Sequence, residues 1–111
     1  MQKTYSVFEG KKIRKTYQNG KWYFCLSDIV YSLTNTSDSK VYLKELRKRR
    51  LDIKENWHSL CPLYLINTNG GNQKVKCVDY DSIIIIFKNC RSVKKEKFFK
   101  WVKRVSKQKN D

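Results

Sequence analysis

Positively charged side chains are concentrated in one short stretch near the middle of the chain. Residues 39–51 carry six Lys or Arg and a single acid. At 100° per residue, a helix here places Tyr42, Leu43 and Leu46 on one side. The opposite side and the borders of this apolar edge carry the cations: Lys40, Lys44, Arg47, Lys48, Arg49 and Arg50. One face of the predicted helix can pack against a core, and the other can neutralise an anion.

A second cationic segment follows near the end of the chain. Residues 91–109 carry nine basic residues and one acid, so the two segments hold thirteen of the fifteen net positive charges. An apolar stripe predicts a helix over 93–106 with Ser92 as its cap. The stripe is Phe98, Trp101, Val102 and Val105, and the opposite side is Lys97, Lys100, Lys103, Arg104 and Lys107. Charge concentrated in this way favours a polyanionic partner, most commonly nucleic acid, over a merely solvated basic surface.

Residue types that catalyse reactions are scarce in the sequence. The single histidine, His58, leaves no Ser/His/Asp set to argue, and no local pairing supports a Cys/His nucleophile. Asp79 and Asp81 with Glu9-x-Lys11 superficially resemble a metal-dependent nuclease, but the two aspartates are better explained as helix caps. We therefore expect no enzymatic activity and no cofactor.

The four cysteines are widely separated and form no C-x-x-C pair. In a reducing compartment they are expected to be small buried hydrophobic residues. The alternative is a zinc site that uses His58 and Cys61 with two of the others, because zinc takes four N or S ligands. The expectation is no metal. The cysteines are Cys25, Cys61, Cys77 and Cys90.

Turn residues predict a β-hairpin ahead of the basic helix. Asn19-Gly20 favours a type I′ turn that joins extended residues 12–17 and 22–25. The second of these strands is apolar on both faces, which places it inside a sheet. Ser27 is the predicted cap of a helix that packs through Ile29, Val30 and Leu33, and Ser37 or Asp38 is the predicted cap of the basic helix.

Beyond residue 51 the sequence is irregular as far as Pro62. A second hairpin is predicted from residues 63–66 and 73–78, with a longer loop over 67–72. Cap residues at 79–82 favour a buried helix over a strand for the isoleucine run that follows. The order ββααββαα predicts an α+β fold with about four helices and a small, mainly antiparallel sheet of two hairpins.

Length and composition indicate one packed domain over 1–111, ordered from about residue 5 to 106. Hydrophobic residues make up 40% of the chain and aromatic residues 14%, which argues against disorder. The N-terminal region has no apolar run that would predict a signal peptide or a membrane span. We expect an intracellular protein that does not engage a membrane.

Four segments in chain order resemble the Bro-N domain, which is found in phage antirepressors, baculovirus Bro proteins and DNA-damage-inducible protein D. The segments are residues 19–24 with 27–34, 40–49, 77–79 and 92–101. The resemblance covers about residues 5–105. It implies a DNA-binding module that is usually placed ahead of a separate C-terminal domain.

The expected function is therefore nonenzymatic binding of DNA, with duplex as the expected form. Phosphate neutralisation supplies affinity, and a few side chains that reach base edges supply any specificity. The alternative is a protein-interaction module, either an antirepressor that binds a repressor or an inhibitor of a DNA-repair protein. A homodimer is compatible with either function, since many small DNA readers double their contacts by symmetry. The candidate contacts are Lys40, Lys44, Arg47, Lys48, Arg49, Arg50, Lys97, Lys100, Lys103 and Arg104.

Overall fold

The computed structural model describes residues 4–68 and 70–108. Asn69 of the predicted loop and residues 109–111 lie outside the described residues. The strands are β1 (Tyr5–Phe8), β2 (Lys11–Gln18), β3 (Lys21–Cys25), β4 (Leu63–Thr68) and β5 (Gly71–Val78). The helices are α1 (Leu26–Thr34), α2 (Ser39–Arg49), α3 (Leu51–Glu55), α4 (Trp57–Leu60), α5 (Tyr80–Phe87) and α6 (Lys95–Ser106). The predicted α+β class is confirmed, and the predicted order is extended by β1, α3 and α4.

The strands form one antiparallel sheet in the order β1-β2-β3-β5-β4. β3 lies between β2 and β5, and its residues from Trp22 to Cys25 are all buried. Its interior position is as predicted from a strand that is apolar on both faces. β1 and β4 are the two edges of the sheet.

The two hairpins differ in how well their turns were predicted. Asn19 and Gly20 both have positive φ, at 53° and 82°, which confirms the type I′ turn. In the second hairpin the pairing continues to Thr68 opposite Gly71, so the prediction of a long loop over 67–72 was wrong. Gly71 has a φ of 105°, a conformation that glycine adopts at low cost, and it lets the strand begin inside the predicted loop.

Aspartates cap two helices as predicted. The Asp38 carboxylate accepts a hydrogen bond of 3.2 Å from the Val41 N–H at the start of α2, and Asp79 accepts one of 2.9 Å from Ser82 at the start of α5. Ser92 accepts from the Lys94 N–H at 3.1 Å, but α6 begins only at Lys95. The basic helix also ends at Arg49, because Arg50 is extended.

The predicted cap of α1 was wrong. The helix begins at Leu26, so Ser27 lies inside the first turn and the preceding Cys25 makes no side-chain cap. Asp28 is in the first turn and accepts from the Arg14 guanidinium at 2.9 and 3.0 Å. These two hydrogen bonds fasten α1 to β2, and they raise the pKa of Arg14 above its ordinary value.

The segment predicted as irregular forms the short helices α3 and α4. Ile53 is fully buried and Trp57 is 7% exposed, so both helices are anchored in the main core. Helices of four or five residues have too few intrahelical hydrogen bonds to stand alone, which is why local propensity did not reveal them.

A single large core joins the sheet to the helices. The α6 stripe is buried as predicted, and so are Ile29, Val30 and Leu33 of α1. Phe8, from the strand that was not predicted, meets the Phe98 ring edge-on at 5.1 Å between centroids. β1 therefore covers part of the apolar stripe of α6. No helix in the described ranges is long and apolar enough to span a membrane.

Candidate nucleic-acid interface

The apolar edge of α2 holds the basic helix on the core. Leu43 is 7% exposed and Leu46 is 8% exposed, as the periodicity predicted. Tyr42 is half-buried, and its hydroxyl lies 3.8 Å from the Cys90 sulfur, to which it donates. Burial raises the pKa of Tyr42 to about 12, so the hydroxyl keeps its proton near neutral pH. These contacts fix which side of α2 faces outward.

A cleft of about 510 Å³ opens between α2, the start of α1 and the β4–β5 hairpin. Its floor is largely apolar, and its rim carries five cations and no acid. The apolar lining residues are Leu26, Leu43, Trp57, Leu63 and Val75. The cationic lining residues are Lys40, Lys44, Arg47, Lys74 and Lys76.

Two of these cations, Lys74 and Lys76, were missed in the sequence. They alternate along β5 and lie directly opposite Leu65 and Leu63 of β4, so all four side chains share one face of the hairpin. A Lys-x-Lys alternation on a strand is a detectable signal for a cationic face. Nothing in the sequence showed that this face would stand opposite α2, since the two are joined only by tertiary packing.

The lysines of the cleft are electrostatically available. Within the described part of the chain, Lys40, Lys44, Lys74 and Lys76 form no ion pair or hydrogen bond. Lys48 does not line the cleft and pairs with Glu45 at 3.3 Å, with both side chains exposed. Four uncompensated ammonium groups around one concave surface create a positive potential that attracts a polyanion.

Arg47 is held at the cleft wall by an aromatic ring. Its guanidinium carbon lies 4.5 Å from the centre of the Trp57 ring, a cation–π arrangement. Trp57 is buried, so the ring is a fixed support rather than a mobile surface group. Arg47 is half-buried and presents its charge at the edge of the cleft.

Arg50 is engaged by the fold. Its Nη1 donates to the carbonyl oxygens of Ile85 and Ile86 at 3.0 and 3.2 Å, which lie in the last turn of α5. Its Nη2 donates to Asp52 at 3.0 Å, and the Arg50 side chain is only 11% exposed. This guanidinium satisfies helix carbonyls that have no intrahelical partner. Arg49, one residue earlier, is exposed.

The cations of α6 lie in a different place from those of α2. Lys97, Lys100 and Arg104 line a second cleft of about 430 Å³ beside β1, which also includes Glu9. Lys103 is exposed but does not line this cleft. The two clefts share no lining residue, and they involve opposite edge strands of the sheet. The structure therefore does not merge the two predicted cationic helices into one concave surface.

The model of the BRO family, N-terminal domain, matches residues 12–108 of this chain. The chain belongs to this family. The Bro-N resemblance in the sequence is confirmed over nearly the whole chain, including α2, the β4–β5 hairpin and α6. Comparison with curated proteins and with solved structures finds no match.

The cysteines of this Bro-N domain are packed rather than exposed. Cys25, Cys61 and Cys77 are buried, as expected, and Cys90 is half-buried. Burial raises the pKa of Cys61 to about 12, in spite of the nearby charges of Lys76 and Arg47, so this thiol is neutral. Across residues 4–68 and 70–108, no three His, Cys, Asp or Glu side chains are grouped to hold a metal ion.

Proposed function

We propose that this Bro-N domain is a nonenzymatic DNA-binding module whose main contact surface is the cleft between α2 and the β4–β5 hairpin. The observation that carries the proposal is the rim of five cations without a lining acid. Family membership supports the same function, as the sequence resemblance implied.

Phosphate contacts are the proposed source of affinity. An ammonium group that neutralises a phosphate releases condensed counterions from DNA, and this release favours binding without regard to sequence. Lys40 and Lys44 on one wall, with Lys74 and Lys76 on the other, can follow a phosphodiester backbone along the cleft. Because Leu43 and Leu46 pack α2 on the core, the backbone positions from which Lys40 and Lys44 extend are set before DNA arrives.

The remaining candidates have more peripheral proposed roles. Lys48 and Arg49 are exposed at the end of α2, outside the cleft lining, and are proposed to contact adjacent phosphates. Arg50 is proposed to act in stability, since its donors are already directed at α5 and Asp52. The α6 cations Lys97, Lys100, Lys103 and Arg104 are proposed to form a separate, weaker surface, because Glu9 lies in their cleft.

A charge-matched pair of variants tests this assignment. Lys40→Ala/Lys44→Ala and Lys97→Ala/Lys100→Ala each remove two positive charges from exposed helix positions. Fluorescence anisotropy with a labelled 20-base-pair duplex should show a loss of affinity of about tenfold or more for the α2 variant. The α6 variant should lose much less.

An equal or larger loss in the α6 variant would contradict the assignment to the α2 cleft. Undetectable duplex binding at low salt would contradict DNA binding altogether. In that case a stoichiometric protein partner that survives nuclease treatment would favour the protein-interaction alternative.

A further inference from the structure

The α2 cleft is more apolar than phosphate binding requires. Phosphates need only donors and positive charge, whereas the lining of this cleft includes Leu43 and Leu63 together with the buried Trp57. Its volume of about 510 Å³ is in the range of pockets that enclose ligands, roughly 300–1,000 Å³. An apolar floor inside a cationic rim fits a ligand with a flat apolar body and an anionic perimeter.

We propose that this cleft receives one unpaired base of bound DNA, with the flanking phosphates on the lysine rim. The inference rests on the proposed DNA binding. It assigns to the cleft the exposed face of an unpaired base, which is stacked inside the helix in a fully paired duplex. A nucleotide matches both features of the site, because its base has an apolar face and its phosphates are anionic.

Arg47 gives the site a stacking surface. Its guanidinium carbon lies over the Trp57 ring, 4.5 Å from the ring centre, and Arg47 also lines the cleft. Guanidinium planes stack on nucleobases, and a plane already fixed by a buried ring loses little freedom on doing so. The base would complete a three-layer stack of Trp57, Arg47 and base.

The rim is complementary in charge on both sides of the base. Lys40 and Lys44 stand on α2, while Lys74 and Lys76 stand on β5, and none of them has an ion-pair partner within the described ranges. A nucleotide between the two walls would place a phosphate near each pair. The acidic groups of a peptide would satisfy the same charges, but Asp and Glu side chains offer no flat ring to stack on the Arg47 guanidinium.

Three duplexes of the same sequence separate the base from the phosphates. One is fully paired, one carries a single unpaired nucleotide as a bulge, and one carries the same bulge without its base. An unpaired base is used because extruding a paired one costs unstacking and unpairing energy. The wild-type domain is expected to bind the bulge with a base about tenfold more tightly than the abasic bulge.

Two leucines on the same strand provide matched variants. Leu63 and Leu65 are each 56% exposed and share one face of β4, but only Leu63 lines the cleft. Leu63→Asp and Leu65→Asp therefore make the same charge change at equally exposed positions. The ratio of affinities for the two bulges should fall to about one in Leu63→Asp and stay near tenfold in Leu65→Asp.

Arg47→Lys supplies a second, independent readout. It keeps the positive charge and removes the planar group, so the same ratio should fall at least threefold, whatever happens to overall affinity. Retention of the full ratio in both Leu63→Asp and Arg47→Lys would overturn the inference.

Equal binding of both bulged duplexes by the wild-type domain would also overturn it and would leave the proposed DNA binding intact. Loss of all DNA binding, in contrast, would overturn the proposed function together with the inference. Binding to the fully paired duplex therefore tells the two failures apart, because it persists in the first case and is lost in the second.

Discussion

Replacing Arg50 with alanine should destabilise the fold without removing a DNA contact. The side chain is 11% exposed and donates to the Ile85 and Ile86 carbonyls at 3.0 and 3.2 Å. A hydrogen bond from a charged donor contributes about 1.5–3 kcal/mol, and the freed carbonyls become partly unsatisfied. The pair with Asp52 adds little, because Asp52 faces solvent. We expect the free energy of unfolding to fall by about 2–3 kcal/mol.

Urea unfolding monitored by tryptophan fluorescence measures this loss, and thermal unfolding should show a decrease in Tm of about 8–12 °C. Arg49→Ala is the matched control, since it removes the same charge from the adjacent, exposed residue. That variant should stay within about 0.5 kcal/mol of the wild type. If Arg50→Ala and Arg49→Ala unfold at the same urea concentration, the Arg50 hydrogen bonds to the last turn of α5 do not stabilise the fold as proposed.

Three further predictions concern caps and thiols. Asp79→Ala should lower the free energy of unfolding by about 1 kcal/mol, whereas Asp79→Asn, which can still accept the Ser82 N–H, should lose less than half of that in urea titrations. Burial opposes ionisation of Asp79, but hydrogen bonds from Lys21 and Ser82 outweigh it and hold its pKa below the ordinary value. Its contribution is therefore complete above about pH 4 and is lost as pH falls through the lowered pKa, so the Asp79→Ala difference should shrink in acid; a constant difference down to pH 2 would contradict this. Burial raises the pKa of Cys61 and of Cys77 to about 12, so both thiols should react slowly at pH 8. After brief alkylation of the native protein, mass spectrometry should therefore show half-buried Cys90 modified first. Labelling of Cys61 before Cys90 would contradict the packing.

Local chemistry was sufficient for the elements whose signals lie within a few residues. Asn19 and Gly20 both have positive φ, as the predicted tight turn requires, and the Asp38 side chain accepts from the Val41 N–H of its own helix. The α6 stripe also needed only its own periodicity. In each case the deciding interaction is short in sequence, so the pattern predicts the structure.

The elements that the sequence did not reveal have a common physical origin in tertiary contacts. β1 is a short edge strand whose Phe8 is buried by α6, about ninety residues later in the chain. α3 and α4 exist because Ile53 and Trp57 reach the core, which local propensity does not record.

The sequence predicted only the α2 side of the candidate site, because the other side joins it through tertiary contacts. The α2 cations were identified from the sequence, but Lys74 and Lys76 join them only after β5 pairs within the sheet. Arg50 was counted among the DNA-contacting cations from the sequence. The sequence could not show that the Arg50 guanidinium donates to a carbonyl of α5, because that carbonyl lies 35 residues away in the chain.

The salt dependence of duplex binding by the wild-type domain tests the central claim most directly. Four lysines and Arg47 line the cleft, and each phosphate neutralised on B-DNA contributes about 0.9 to the slope of log affinity against log salt. If each of these five cations neutralises one phosphate, anisotropy titrations between about 50 and 200 mM NaCl should give a slope of about −4.5. A slope near zero, or no duplex binding at the lowest salt, would contradict phosphate recognition by this cleft.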